Sequence, residues 1–243
     1  MTAATTAQVQ TWIAVVGGLA TAILGILKYF DFRTRRERAT IVGQAFAATV
    51  DALASKDSAR QLAGAILLRR FFDRETEQGE GNAPYEKEAV AVIAALLRDA
   101  PAGNLQKLLA DGLAYAPSLQ HADLQRCNLQ EAYLGVRPDR SVDLSRADFF
   151  EANLTSASLK GAKAQGTVFF QAVLHDTVLS ESDLTEADFR GADLRGARFE
   201  GARLSGVRFD GAKNIPPEVS ELLDDDGCVP PAIPAGVPLS DSR

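Results

Sequence analysis

The sequence has few of the side chains that perform chemistry. Its 243 residues include two histidines, two cysteines, one methionine and one tryptophan. Cys127 and Cys228 lie far apart in unlike surroundings, so they predict no disulfide framework and indicate a reducing compartment. His121 and His175 have no cysteine or second histidine at metal-ligand spacing. These absences argue against a metal site.

Recognisable catalytic motifs are also missing from the sequence. No nucleophile elbow or phosphate-binding loop is present, and Gly79-Glu80-Gly81 follows no predicted strand. Asp123, Asp143 and Asp183 recur at regular spacing, which is typical of a solvated face and not of paired catalytic carboxylates. We therefore predict no enzyme, no cofactor and no small-molecule substrate.

The chain has no strongly basic block. Its net charge is −6, and acidic and basic residues alternate through most of its length. A protein that follows a phosphate backbone needs a concentrated positive surface. We therefore expect no nucleic-acid partner.

Charge is absent from the first 27 residues, and VQTWIAVVGGLATAILGIL (9–27) is long enough to span a bilayer. Trp12 and Tyr29 mark its ends, as interfacial aromatics do. The basic residues all follow the run: Lys28, Arg33, Arg35, Arg36 and Arg38. We predict a single transmembrane helix (9–30) in a bacterial inner membrane, with residues 1–8 outside and the remainder cytoplasmic. A cleaved signal peptide would need basic residues before the run; a buried core helix is the other alternative.

Small residues recur every four positions along this segment. Such stripes let helices approach closely in lipid, although glycine and alanine are common in membrane spans. The candidates for self-association are Ala14, Gly17, Gly18, Thr21, Ala22 and Gly25.

Residues 31–116 have the apolar spacing of a small α-helical module. The predicted helices cover 39–55, 58–72, 85–99 and 104–114, and Ser58 or Asp57 is the expected N-cap of the second. Gly, Asn and Pro make 76–84 a predicted loop.

A strict five-residue repeat occupies residues 117–213. Leucine or phenylalanine stands at every fifth position from Leu119 to Phe209, except at Asp139 and Ala164, and a small residue usually stands two places earlier. Neither helices nor strands have this period. If each unit turns the chain through a quarter circle, four units close a coil whose large apolar residues point to its axis. Successive coils would pair by backbone hydrogen bonds about 4.8 Å apart.

The segments ADLQRCNLQEAYL, ADFFEANL and EADFRGADLRGARFEGARL resemble the units of pentapeptide-repeat proteins. The resemblance implies a right-handed quadrilateral β-helix, and hence a multi-part α+β fold. The helical block resembles, more weakly, a module that precedes the repeats in membrane-anchored bacterial members of the family.

GVRPDRSVD (135–143) keeps the five-residue register but places Arg137 and Asp139 at inward positions. An unpaired buried charge costs several kcal/mol, so we expect a bulge or loop with both charges turned outward. Residues 105–115 are expected to cover the first coil and 214–224 to cap the last. The acidic, proline-rich tail, 225–243, is expected to be disordered.

If residues 20 apart stack, one outward column reads Gln130, Phe150, Phe170, Arg190 and Asp210. Phe150 and Phe170 would then form an exposed aromatic ladder near Val168, Val173 and Val178, which are our partner-binding candidates. The alternative is that the protein's own helical module covers these residues. Further along, Arg190, Arg195, Arg198, Arg203 and Arg208 are expected to pair with neighbouring carboxylates.

The function predicted first is a non-enzymatic membrane protein that presents a rigid cytoplasmic rod for interaction with a protein partner or for self-assembly. An alternative is an oligomerising effector that perturbs membranes in bacterial stress or phage defence. A second alternative, implied by the family resemblance, is a DNA-mimicking topoisomerase ligand; the near-neutral repeat and the arginine cluster disfavour it.

Overall fold

The computed structural model describes residues 40–72, 85–138 and 141–231. The chain divides into two compact units, Met1–Ala45 and Phe46–Arg243. In the first unit the described residues, 40–45, are helical. The predicted membrane helix and its self-association residues lie outside the described ranges. Within those ranges, no helix is both long enough and apolar enough to cross a bilayer.

The second unit begins with the predicted helical module. Helix α1 covers residues 40–53 and so starts in the first unit, and the helices that follow are α2 (Ser58–Leu68), α3 (Glu86–Asp99) and α4 (Asn104–Leu113). Asp57 caps α2, because its carboxylate accepts a hydrogen bond from the backbone nitrogen of Ala59 at 2.9 Å. The predicted helices are therefore confirmed where the structure describes them.

The module has a core of its own. Its largest fully buried side chains come from α2, the turn after it, α3 and α4: Leu68, Phe71, Ile93, Leu97, Leu109 and Leu113. Phe46 packs against Phe71 and Tyr85, with ring centroids 5.1 and 4.8 Å away. Burial of such side chains stabilises each by about 1.5–3 kcal/mol relative to exposure, which holds these short helices together.

Residues from Leu119 onward form a β-helix built from single parallel bridges. Asp148 pairs with Val168, and Val168 pairs with Asp188, so four five-residue units make one coil. Each corner is a tight turn: the nitrogen of Ala152 donates to the carbonyl oxygen of Phe149 at 3.0 Å, and Glu151 between them has a φ of 54°. Some later corners, such as those at Gly191 and Gly196, have glycine at this left-handed position, which removes its steric cost.

The predicted inward residues form the core of the coils. Leu124, Leu154, Leu174 and the other central leucines are buried, and phenylalanines stack along one side. The ring centroids of Phe149 and Phe169 are 5.3 Å apart, and those of Phe169 and Phe189 are 4.7 Å apart. The period therefore reflects packing around an axis, as the sequence predicted.

The first coil contains one extra unit, which is looped out. Asp123 pairs with Asp148, and Tyr133 pairs with Ser158, whereas later partners are five residues closer in sequence. The extra residues lie between Val136 and Leu144. The predicted loop is therefore confirmed for Arg137, which is half-buried outside the coil and lies over the Tyr133 ring at 5.0 Å. Asp139 lies outside the described residues.

Helices α3 and α4 cover the start of the β-helix. The backbone nitrogen of Asn128 donates to the carbonyl oxygen of Leu97 at 2.9 Å, and the thiol of Cys127 donates to that of Ala94 at 3.4 Å. The predicted cover from residues 105–115 is present, since Gln106 of α4 bonds to the carbonyl oxygen of Asn128 at 3.0 Å. Helix α3 takes an equal part that the sequence did not predict.

The end of the β-helix has a longer cap than predicted. Helix α5 (Pro217–Ser220) buries Val219, as expected for a cap at 214–224. The chain then returns, and Cys228 forms an antiparallel bridge with Arg208. The prediction of disorder from residue 225 was therefore wrong for residues 225–231, because the coil edge supplies backbone partners that a compositional argument ignores. Residues 232–243 lie outside the described ranges.

Candidate protein-interaction surface

Each side of a coil presents two outward positions between its exposed corner residues. They are the residues immediately before and after the buried central residue, as Val168 and Phe170 flank Phe169. Because coils stack in register, each outward position forms a column along one face. A binding surface on the β-helix would therefore consist of the side chains of one or more neighbouring columns.

The looped-out unit changes the column that contains the phenylalanines. The backbone nitrogen of Arg126 donates to the carbonyl oxygen of Phe150 at 2.8 Å, so Gln125 stands in the column above Phe150. The prediction of Gln130 at this position was wrong, because it assumed a constant spacing of 20 residues between stacked positions. The column reads Gln125, Phe150, Phe170, Arg190, Asp210.

Phe150 and Phe170 stack on this face. Their ring centroids are 5.7 Å apart with an interplanar angle of 22°, and both side chains are half-buried. The guanidinium of Arg126 lies 5.8 Å from the Phe150 centroid, and that of Arg190 lies 5.4 Å from the Phe170 centroid. The result is an aromatic pair between two cations, which we call the Arg–Phe stack.

The valine candidates are not brought together. Val168 belongs to the same face as the Arg–Phe stack, where it pairs with Asp148 and Asp188. Val173 and Val178 belong to the next two faces, because each five-residue step turns a corner. All three are half-buried. The structure therefore groups only Val168 with Phe150 and Phe170.

An ion pair holds Arg190 in place at the Phe170 end of the Arg–Phe stack. Arg190 donates from Nη2 to Oδ2 of Asp188 at 2.6 Å and from Nε to Oδ1 at 2.8 Å. Burial opposes ionisation of Asp188, but hydrogen bonds from Arg190 outweigh burial and hold its pKa below the usual range. This ion pair fixes the guanidinium over Phe170.

The expected pairing of arginine with carboxylates holds for further members of the cluster. Arg203 lies 3.8 Å from Asp183, and Arg208 lies 3.6 Å from Asp210. Arg195 instead contacts Nδ1 of His175 at 3.0 Å. Each contact is exposed to solvent and contributes little to stability on its own. Positively and negatively charged side chains therefore follow one another along these faces of the β-helix.

The contact between Arg195 and His175 belongs to a polar cluster on the neighbouring face. Nε2 of His175 lies 2.8 Å from Oδ2 of Asp193, and Asn214 donates to Oδ1 of Asp193 at 2.8 Å. The close contact with His175 and the hydrogen bond from Asn214 lower the pKa of Asp193 to about 2, against a smaller effect of burial. This cluster links the last coil to its cap.

Chemical reactivity is suppressed at the buried thiol. Burial raises the pKa of Cys127 to about 12, so the reactive thiolate is not formed near neutral pH. In the described part of the chain, no three His, Cys, Asp or Glu side chains cluster closely enough to hold a metal ion.

Arg126 is the surface residue that sequence reasoning missed. Its place over Phe150 depends on the looped-out unit, so no constant spacing predicts it. The available signal was the unit that carries Arg137 and Asp139, because two charges at inward positions indicate that this unit leaves the coil.

The model of the pentapeptide-repeat family matches residues 140–171 and 172–211, with eight copies. No curated protein matches the chain.

Three solved structures are similar. HetL, a pentapeptide repeat protein involved in heterocyst differentiation regulation in the cyanobacterium Nostoc sp. strain PCC 7120, is 28% identical over 40% of this chain and 46% of its own, with a TM-score of 0.22. This chain thus spans less than half of HetL. A second Nostoc pentapeptide repeat protein is 30% identical over 37% and 77%, with a TM-score of 0.18. QnrB1, a plasmid-mediated fluoroquinolone resistance protein, is 17% identical over 39% and 62%, with a TM-score of 0.25.

Proposed function

We propose that this chain, a member of the pentapeptide-repeat protein family, is a non-enzymatic interaction protein whose β-helix presents the Arg–Phe stack to a protein partner. The observation that carries the proposal is the stacked pair Phe150 and Phe170 on an outward face. Outward positions elsewhere in the coils mostly carry polar or charged residues. Two adjacent aromatic rings at such positions support the proposal of a contact site there.

The composition of the stack fits a binding hot spot. Aromatic residues and arginine are the types that contribute most at protein interfaces. Arg126 also forms an ion pair with Glu151 at 2.6 Å, and Arg190 forms one with Asp188, so both guanidinium groups are held in place before a partner arrives. Such preorganisation lowers the entropic cost of binding. The face supports recognition of a protein surface with apolar and acidic groups.

The proposal is tested with the double substitution Phe150→Asp and Phe170→Asp in the tagged full-length chain. Affinity capture with mass spectrometry, followed by sizing of the eluate, should show loss of the partner or of self-assembly. Circular dichroism should remain unchanged, because both side chains point away from the coil axis. The matched control is Val136→Asp, an exposed apolar residue outside this face. Equal recovery of the same partners by wild type and double variant would refute the site.

Membrane anchoring through residues 9–30 is a further part of the proposal, supported by the apolar run and the basic residues after it. The chain should remain in the membrane pellet after alkaline carbonate extraction, and removal of residues 1–30 should release it. The self-association candidates are tested by Gly18→Ile in a reporter of helix association. Depolarisation measured with a potential-sensitive dye on expression would favour the membrane-acting effector instead.

The charges on the rod do not favour a DNA-mimicking function. Such a mimic needs a continuous acidic face, whereas Asp183 and Asp188 are paired with Arg203 and Arg190. A gyrase supercoiling assay with the full chain should show no inhibition.

A further inference from the structure

The edge of the first coil is covered unevenly by the helical module. Trans peptide geometry fixes which backbone groups point toward the module, because N–H and C=O of one peptide unit point in opposite directions. The nitrogens of Leu119 and His121 donate to the second coil, at 2.8 Å and 3.3 Å. The carbonyl oxygens of Ser118 and Gln120 therefore point the other way, toward the module.

On the next two faces the equivalent carbonyl pairs are satisfied by side chains. Arg98 donates from Nε to the carbonyl oxygen of Gln125 at 3.1 Å and from Nη2 to that of Asp123 at 3.4 Å. Gln106 donates from Nε2 to the carbonyl oxygens of Asn128 and Gln130, at 3.0 and 3.1 Å. In each case one side chain replaces the two backbone N–H groups that a preceding coil would supply.

The first face has no such replacement. Among the residues that the structure describes, none donates to the carbonyl oxygen of Ser118 or Gln120. The same holds for the N–H of Asp123: the carbonyl oxygen of Ala122 accepts from Asp148 at 2.9 Å, which turns the N–H of Asp123 toward the module, where no described acceptor reaches it. The edge thus offers two acceptors and one donor, all facing one way.

These three groups open into a groove of about 570 Å³ between the coil edge and α3. The α3 side of the groove carries an apolar strip of Val90, Ala91 and Ala94, flanked along the helix by the charged residues Glu86, Lys87 and Arg98. A groove with an apolar wall and an unpaired backbone edge is the arrangement that accepts an added strand. Ser118, Gln120 and Asp123 are exposed, so water can bond to these groups until the backbone of a bound segment replaces it.

We infer that this groove binds an extended peptide segment of a partner protein, which adds one side of a coil to the open edge. The inference rests on the proposed interaction function and names a second surface for it. The segment donates the N–H groups of residues k and k+2 to Ser118 and Gln120, and the carbonyl oxygen of k+3 accepts from Asp123. Residue k is apolar and packs against α3; proline is excluded at k and k+2 because it has no N–H.

The chain itself supplies a suitable probe. In the segment ADFRGA (187–192), the nitrogens of Phe189 and Gly191 donate to the next coil at 2.8 and 3.0 Å, and the carbonyl oxygen of Ala192 accepts from Lys213 at 2.8 Å. This is the pattern that the groove requires. A fluorescein-labelled, amidated ADFRGA peptide can therefore be titrated into the full-length chain by fluorescence anisotropy.

The control peptide carries N-methyl groups at Phe and Gly, which remove the two donors and leave the side chains unchanged. The control proteins differ in one exposed alanine of α3: Ala91→Trp fills the groove, whereas Ala95→Trp lies outside its lining. We expect saturable binding of the probe, at least tenfold weaker binding by Ala91→Trp, binding within twofold of wild type by Ala95→Trp, and loss of binding for the N-methylated peptide.

The inference is overturned if the probe does not bind at millimolar concentration, if N-methylation has no effect, or if Ala91→Trp binds as wild type. Amide exchange at Asp123 tests other occupants. Slow exchange without peptide would show that another segment of this chain, or a second copy when the protection depends on concentration, already fills the groove, and would also overturn it. The variant with Phe150→Asp and Phe170→Asp should bind the probe normally, so failure of either proposal is distinguishable from failure of the other.

Discussion

The side-chain amide of Gln106, in α4, donates to the backbone carbonyl oxygen of Asn128 at 3.0 Å. It thereby replaces a backbone N–H group that a preceding coil of the β-helix would supply. The same nitrogen also reaches the carbonyl oxygen of Gln130, at 3.1 Å, and the residue is 1% exposed. A solenoid must end somewhere, and its last row of backbone groups then lacks partners. Here a helical module closes that row with side chains, so module and β-helix stabilise each other.

Substitution of Gln106 by leucine should destabilise the chain by about 1–3 kcal/mol, because the half-buried carbonyl groups of Asn128 and Gln130 lose their donor while volume is nearly kept. Urea unfolding followed by circular dichroism measures the change in the free energy of unfolding. The control is Gln120→Leu, an exposed glutamine, which should change it by less than about 0.5 kcal/mol. Equal effects of the two substitutions would show that the amide does not support the first coil.

The two cysteines should differ sharply in reactivity. Cys127 is buried and its pKa is raised to about 12, whereas Cys228 is partly exposed. Because the thiolate is the nucleophile, Ellman's reagent at pH 8 should titrate about one thiol in the native chain and both after denaturation. Cys228→Ser should leave almost no fast reaction. A fast reaction in that variant would mean that the α3 cover over Cys127 opens readily.

Asp193 should make stability depend on acid pH. Its pKa is lowered to about 2 by its polar neighbours, the largest effect coming from the close contact with His175. A depressed carboxylate pKa contributes stability that is present above the unfolded value, about 3.9, and is lost as the pH falls toward 2. Melting temperatures at pH 5 and pH 2.5 should therefore differ less in Asp193→Asn than in wild type. The exposed carboxylate of Asp225 is the control, and Asp225→Asn should keep the wild-type difference.

The sequence predicts the coil but not all of its neighbours. A five-residue period with Leu or Phe at its centre has one efficient packing, so buried residues such as Leu154 and Phe169 follow directly from it. The contacts of Phe150 depend on how many residues the first coil contains. GVRPDRSVD keeps the period while one unit leaves the coil, so the period alone places Gln130 where Gln125 stands. Only the cost of burying charge pointed to the loop.

The edge groove was beyond prediction for a different reason. Cover by residues 105–115 was expected from the need to protect an open edge, and Gln106 confirms it. Which faces of the first coil have hydrogen-bonded carbonyl groups depends on the reach of single side chains, here Arg98 and Gln106. Their spacing on two separate helices carries no periodic signal. The long C-terminal cap, with Cys228 beside Arg208, escaped prediction likewise because its composition resembles that of a disordered tail.

The looped-out unit should be removable as a whole. Deletion of residues 137–141 joins Val136 to Val142, which is buried at a small-residue position, and so restores the spacing of the other coils. Val136 would then occupy a left-handed corner, which a β-branched residue disfavours, so the deletion is combined with Val136→Gly. We expect a folded chain with an unchanged circular dichroism spectrum and cooperative melting.

A deletion of four residues, 137–140, in the same Val136→Gly background is the control for this prediction. It shifts every later unit by one residue relative to the first coil. Corner residues of the first coil then no longer lie over corner residues of the second, and inward residues no longer lie over inward residues. The four-residue deletion should therefore lower the melting temperature well below that of the five-residue deletion. Equal melting of the two variants would contradict the conclusion that the loop is one complete repeat unit, because a loop of arbitrary length tolerates either change.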